Sequence, residues 1–157
     1  FIDLPPGTSD IHLTLVQTVP VTGAIIVTTP QRVALADAQK GVSMFTQPKI
    51  NVPILGIVEN MSYFTPAELP NNKYYLFGEN GGKVLAKRND VPFLGEVPLV
   101  QSIREAGDEG IPLAAQDNLD TQSEIITTIF KDIAQKLAQS VAVRNAQQNP
   151  TEAVFIN

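Results

Sequence analysis

Apolar residues in this chain fall into short unbroken runs, separated by stretches in which they recur every three or four positions. The runs are Gly23-Ala24-Ile25-Ile26-Val27-Thr28-Thr29, Val52-Pro53-Ile54-Leu55-Gly56-Ile57-Val58-Glu59-Asn60 and Val91-Pro92-Phe93-Leu94-Gly95-Glu96-Val97-Pro98. None alternates apolar with polar, which predicts strands buried on both faces. The second and third open on an apolar–Pro pair, and proline is tolerated at the first residue of a strand. Residues 31–45 space Val33, Leu35, Ala36, Val42 and Phe45 as one face of a helix, weakened by Gly41. Thr29 and Pro30 supply its cap and its first-turn proline. Residues 81–89 predict a short helix with Val84 and Leu85 turned inward. Residues 120–143 predict the clearest helix, with Ile125, Ile126, Ile129, Phe130, Ile133, Leu137 and Val141 on one stripe. Thr121 and Glu124 have capping-box spacing at its start. From about Asn145 the period is lost, as in a loose tail or an arm that docks elsewhere.

The opening Phe1-Ile2-Asp3-Leu4 reads as the end of another buried strand, followed by a Pro5-Pro6-Gly7 turn and a capped helix. Strands alternating with helices predict an α/β fold: a mostly parallel sheet with helices on both faces and right-handed crossovers. One unit is expected over residues 1–143, with a tail at 144–157. The loops that follow the strands, at 4–9, 29–31, 60–76 and 98–104, then share one edge. Open α/β sheets bind ligands at that edge. An Asp there suits Mg²⁺, which keeps several waters and takes one or two carboxylates.

Composition narrows the function classes. With 157 residues, 43% hydrophobic and 17% charged, the chain suits a packed core. A formal net charge of −5 argues against a nucleic-acid footprint and against anionic membrane surfaces. There are no cysteines, which excludes a disulfide framework and any thiolate metal or iron–sulfur site made from this segment. No apolar run approaches the roughly 18 residues of a membrane span, and no signal peptide opens the chain. A cytoplasmic protein is the expectation.

Four motifs in order resemble one family. Asp3-Leu4-Pro5-Pro6-Gly7-Thr8, Val27-Thr28-Thr29-Pro30-Gln31, Gly56-Ile57-Val58-Glu59-Asn60-Met61-Ser62 and Phe93-Leu94-Gly95-Glu96-Val97-Pro98-Leu99 resemble the Mrp family. These are deviant P-loop ATPases related to the cell-division regulator MinD and the nitrogenase iron protein. The likeness runs from Phe1 to about Leu113 and more loosely beyond. It implies a partial MinD-like P-loop domain whose phosphate loop lies upstream of this segment. Gly81-Gly82 does not have the Gly-x₄-Gly-Lys-Ser/Thr pattern. The resemblance further implies a homodimer that uses ATP and Mg²⁺ and passes iron–sulfur clusters to apo client proteins.

The family's site residues carry over position by position. Asp3 matches the acidic residue that holds Mg²⁺ through water, and Gly7 the switch glycine that approaches the γ-phosphate. Asn60 matches the residue that reads adenine, whose edge suits an amide that donates and accepts at once. Pro98 and Leu99 match the loop that covers the adenine ring. Each has a plain alternative: Asp3 closing a strand, Gly7 in an ordinary turn, Asn60 closing its own turn, and Pro98 and Leu99 in a strand-to-helix turn.

The chain departs from the pattern after Phe64. Many members carry a Cys-x-x-Cys pair there, and two subunits would supply four thiolates for a bridging cluster. Here the stretch is Thr65-Pro66-Ala67-Glu68-Leu69-Pro70-Asn71-Asn72-Lys73, without a soft ligand, so this segment cannot build the usual cluster site. Two other readings stay open: a MinD- or ParA-like positioning switch, and a degenerate, non-enzymatic scaffold. The full-length protein is expected to hydrolyse ATP, and the segment alone to be inactive and to bind ATP poorly. His12 reads as a surface or packing residue, Asp108, Glu109, Asp117 and Asp120 as solvated loop carboxylates, and Lys83, Lys87 and Arg88 as an exposed helix face.

Overall fold

The computed structural model describes residues 1–66, 68–69, 71–117 and 119–154. Its sheet has three strands, β1 (Ala24–Thr28), β2 (Ile54–Phe64) and β3 (Phe93–Leu99), in the order β1-β2-β3. Both pairings are parallel, so the strands' carboxyl ends do share one edge. The helices are α1 (Asp10–Thr18), α2 (Arg32–Phe45), α3 (Gly81–Arg88), α4 (Gln101–Glu109) and α5 (Thr121–Gln147), with a 3₁₀ turn at Leu113–Ala115.

Two single-residue bulges set which side chains face which layer. Ala24 pairs with Ile54 but Ile25 with Gly56, leaving Leu55 as the extra residue. Ile57 pairs with Phe93 but Val58 with Gly95, leaving Leu94 extra. With these offsets Ile26, Ile57 and Phe93 pack into one cluster with Val42 and Phe45 of α2 and Leu85 and Ala86 of α3. Gly95 faces the other way, where an added Cβ would lie 2.6 Å from Ile133 of α5. Helices therefore cover both faces, as a parallel sheet requires. A second cluster joins Val100, Ala106 and Leu113 to Ile126 of α5.

Several expectations are corrected. Residues 1–5 form no strand; Phe1 and Ile2 are exposed, and only Leu4 packs on the core. A strand exists through backbone bonds to a neighbour, and no described strand pairs with this segment. The β1 run is not buried on both faces, since Val27 is 61% exposed. It pairs with Val58, on the face that α5 covers over β2 and β3 only. Helix α2 begins at Arg32 with Gln31 as its cap. Thr29 does not cap it, because its buried Oγ1 has no partner among the described residues. The inward residues of α2 are Leu35, Ala38, Val42, Met44 and Phe45, while Val33 and Ala36 face solvent. On α3, Val84 is exposed and Leu85 and Ala86 are buried.

Residues 101–109 form a helix rather than a loop. Ile103 and Ala106, three apart, pack on the second cluster, and Arg104 pairs with Asp108 at 2.7 Å. Gly110, at φ +70°, ends it in the left-handed conformation that glycine adopts freely. Asp108 and Glu109 thus lie on a helix. Helix α5 keeps its predicted stripe at Ile126, Ile129, Ile133, Leu137 and Val141, but Ile125 and Phe130 are exposed. Beyond Gln148 the chain returns to α1, where the Val154 amide donates to the Val16 carbonyl at 2.9 Å. His12 is buried; its Nδ1 accepts from the Ser9 amide at 3.3 Å, and its ring meets the Phe45 ring edge-on.

Asp120, not a Thr121–Glu124 box, caps α5: its Oδ1 accepts from the Ser123 amide at 2.7 Å. That bond, joined by the Ser123 hydroxyl, holds its carboxyl below the ordinary 3.8. A carboxyl depressed on folding adds stability above the unfolded value and loses it as pH falls through the lower folded value. The stability difference between wild type and Asp120→Ala should therefore shrink as melts are run from about pH 5 towards about pH 2. A constant difference across that range would show that the cap does not act through charge.

Candidate functional site

The shared edge gathers the end of β1 at Thr28, the tip of β2 and the end of β3. The β2 tip is irregular. Asn60 pairs with Val97, but the next pair is Phe64 with Leu99, so β2 carries two more residues than β3 there. Met61 takes a left-handed conformation at φ +53°, unusual for a side-chain-bearing residue. Bulges of this kind re-aim side chains and cluster beside functional sites. Asn60 Oδ1 accepts from the Met61 amide at 2.9 Å, which fixes the orientation of the amide plane. The buried Ser62 closes the bulge, its Oγ donating to the Glu59 carbonyl at 2.8 Å.

Beneath the bulge lies Glu59, a carboxylate only 1% exposed in the middle of β2, directly after its apolar run Ile54–Val58. Its Oε2 accepts from the Gly82 amide at 2.5 Å. Gly82 is the second residue of α3, where unpaired N–H groups and the helix dipole favour an anion. The approach needs glycine: a Cβ at Gly82 would sit 2.9 Å from Glu59 Cβ and 3.3 Å from the Phe93 ring. Gly82→Ala should destabilise by about 1–3 kcal/mol through this overpacking, read as a lower denaturant midpoint; an unchanged midpoint would mean that α3 slides without cost.

Lys83, next on α3, forms an ion pair with Glu96, and its ammonium lies 5.6 Å from the Phe93 ring centre. The hydrogen bond to Glu96 holds Lys83 above the ordinary 10.5. Its contribution is present below that value and is lost as pH rises through the higher folded one. Lys83 is 47% exposed, so solvent screening limits the pair to at most about 1 kcal/mol.

The β2–β3 pairing sets Asn60 opposite Val97, the residue before Pro98, and Leu99 opposite Phe64. Pro98 is buried and Leu99 half-buried, and α4 begins two residues on at Gln101. Thr29 Oγ1 after β1 and Ser102 Oγ in the first turn of α4 are buried hydroxyls without partners among the described residues. Asp3 and Gly7 lie apart from the strands, in the irregular segment before α1. Asp3 is exposed and has no hydrogen bond or ion pair among the described residues. Gly7 adopts φ +91°, and an added Cβ would meet nothing within 4 Å. Its glycine is thus required by conformation, not by crowding in this chain.

Past the bulge, Phe64 and Tyr74 exchange both backbone bonds, at 2.9 and 2.8 Å. Tyr63 meets Tyr75 edge-on, and the Lys73 ammonium lies 3.9 Å from the Tyr63 ring centre. With Phe64 paired to Leu99 on its other side, β2 runs to Phe64, four residues beyond its expected end. No group of three or more His, Cys, Asp or Glu that could hold a metal occurs among the described residues. Sequence reasoning missed Glu59, Ser62, Gly82 and the Lys83–Glu96 pair. The available signal was a lone carboxylate inside an apolar run.

The family described as ParA: NUBPL iron-transfer P-loop NTPase matches residues 1–138. The chain belongs to this family. An iron-sulfur cluster carrier protein of Synechocystis is 49% identical over 142 residues, covering 90% of this chain and 40% of that protein. The iron-sulfur cluster transfer protein NUBPL of Dictyostelium discoideum is 45% identical, covering 94% of this chain and 43% of its own length. The chain thus spans about two fifths of these relatives. A nucleotide-binding protein from Archaeoglobus fulgidus, solved with ADP, is 37% identical over 68% of this chain and 43% of its own, with a TM-score of 0.59. The cell division ATPase MinD of Pyrococcus furiosus, at 22% identity and a TM-score of 0.52, shares the fold. The parallel α/β architecture and the P-loop NTPase family agree with the sequence reading. Among the described residues no helix is long and apolar enough to cross a membrane.

Proposed function

We propose that this chain forms the adenine-binding part of a Mg-ATP-dependent ATPase that carries or transfers iron–sulfur clusters. The observation that carries the reading is the β2 tip, where an oriented Asn60 amide lies on the strand position opposite Val97, the residue before Pro98 and Leu99, at the ligand-binding edge of a parallel sheet. The ADP-bound relative supports a nucleotide as ligand. Asn60 Nδ2 and the remaining acceptor capacity of Oδ1 would select adenine, and Pro98 with Leu99 would cover the ring. Gly7 would offer its backbone N–H to the γ-phosphate.

Among the described residues there is no cage of carboxylates, and Mg²⁺ at phosphates needs only one or two protein ligands. The exposed Asp3 fits that limited role, holding the ion through water. When bound, the ion neutralises charge on the phosphate oxygens. The phosphate cradle would come from sequence outside this chain, so residues 1–157 alone should bind ATP poorly. Calorimetry on the isolated chain checks this, and tight binding would sink it.

These residues do not themselves supply a site for the cargo. A sequence without cysteine offers no thiolate for a cluster, so any cluster would be held by other parts of the protein. A partner-recruiting switch of the MinD or ParA kind is the second reading, favoured by that absence. Anaerobic reconstitution of the full-length protein with iron and sulfide separates the two: a cluster absorption band supports carriage, and no band supports the switch. The proposal extends to a homodimer, to apo iron–sulfur client proteins and to a reducing compartment such as the cytoplasm. The last is supported by the lack of cysteines to pair.

A further inference from the structure

We propose that Glu59 and Ser62 are positioning residues for base recognition, holding the Asn60 amide in its reading orientation from below. This rests on the proposed adenine-binding role of Asn60 and deepens it. The half-buried Asn60 and the exposed Met61 form an arch between two buried anchors, Glu59 and Ser62. The anchors are joined across the base of the arch by the Ser62 Oγ bond to the Glu59 carbonyl. One anchor is tied in turn to the neighbouring layer, because the Glu59 carboxylate accepts from the Gly82 amide at the start of α3.

The arch contains the left-handed Met61, and it is the Met61 amide that orients Asn60 Oδ1. A left-handed residue with a side chain is held only where its surroundings over-determine it. Between the flanking strand pairs Asn60–Val97 and Phe64–Leu99, what holds the arch is these two bonds. If either is lost, the arch can relax towards an ordinary strand, which moves the Met61 amide and releases the Asn60 side chain. Apolar packing alone would not place the arch, since Met61 itself is exposed. Burying a carboxylate is costly unless it is hydrogen-bonded, so a buried Glu at this point would be a poor choice for a strand that only had to pack. The Lys83–Glu96 pair on the same layer braces the first turn of α3 that presents the Gly82 amide.

The test measures ATP and GTP affinities of the full-length protein by titration, for wild type, Asn60→Ala, Glu59→Gln and Ser62→Ala. Selectivity is the readout, because general destabilisation weakens both nucleotides alike. Asn60→Ala should abolish the preference for ATP. Glu59→Gln and Ser62→Ala should each reduce it about three- to tenfold with little change for GTP. Ser62→Ala removes a single hydroxyl and serves if Glu59→Gln melts at too low a temperature to assay. If Asn60→Ala abolishes the preference while the anchor variants keep the wild-type ratio, or weaken both nucleotides equally, the positioning role is overturned and the adenine reading stands. If wild type shows no preference, or Asn60→Ala retains it, the adenine reading fails and this inference with it.

Discussion

Ile57→Ala is expected to lower the unfolding free energy by about 2–5 kcal/mol, the range for large-to-small changes in packed cores. Ile57 is 0% exposed and sits on the central strand, paired with Ile26 on one side and Phe93 on the other. It lies where α2 and α3 both close on the sheet. Truncation therefore leaves a cavity walled by three layers of contacts, none of which can collapse without displacing the other two. Domains of this size are stable by only about 5–15 kcal/mol, so the loss takes a large share of the total. Ile57→Val should cost about 0.5–1.5 kcal/mol. Urea unfolding checks both, provided the slope against denaturant is unchanged between variants. A loss under about 1 kcal/mol for the alanine variant would mean that the sheet is not packed as described.

Asp3→Asn in the full-length protein should reduce Mg-dependent ATP hydrolysis about 10–100-fold, the usual cost of losing a group that orients a metal through its outer shell. The substitution keeps the size and removes the charge. It should leave the melting temperature close to wild type, because Asp3 is exposed and bonds to no described residue. That combination distinguishes a site residue from a structural one: the rate falls and the fold does not. Raising Mg²⁺ should restore part of the rate. A variant that hydrolyses ATP at the wild-type rate would remove Asp3 from the site and leave it a surface carboxylate.

The two variants sit at opposite ends of what the amino-acid order makes legible. Ile57 lies in an unbroken apolar run, which marked the strand and its burial directly. Asp3 reads as a strand-end carboxylate, and that place is not realised, because pairing depends on a neighbour rather than on the segment itself. Helix α4 was read as a loop: its inward face is only Ile103 and Ala106, too few positions to establish a period. Its charged pair Arg104–Asp108 and its stop at Gly110 were the signals available. The strand–helix alternation alone predicts Asn60, Pro98 and Leu99 at one edge, and parallel pairing sets Asn60 opposite Val97, next to Pro98 in the chain, with Leu99 opposite Phe64.

The sequence by itself determined the α/β class, the three strands, the main helices and the absence of thiolate ligands, because periodicity and composition are local properties that survive without a partner. Only the tertiary structure decided which faces are covered and what supports the tip of β2. The exposure of Val27 depends on how far α5 reaches, and two bulges invert the facing of side chains beyond Leu55 and Leu94. The bond from Gly82 to Glu59 joins residues 23 apart. No local pattern encodes such a contact, since a buried carboxylate is acceptable only once the helix terminus that satisfies it has been packed alongside.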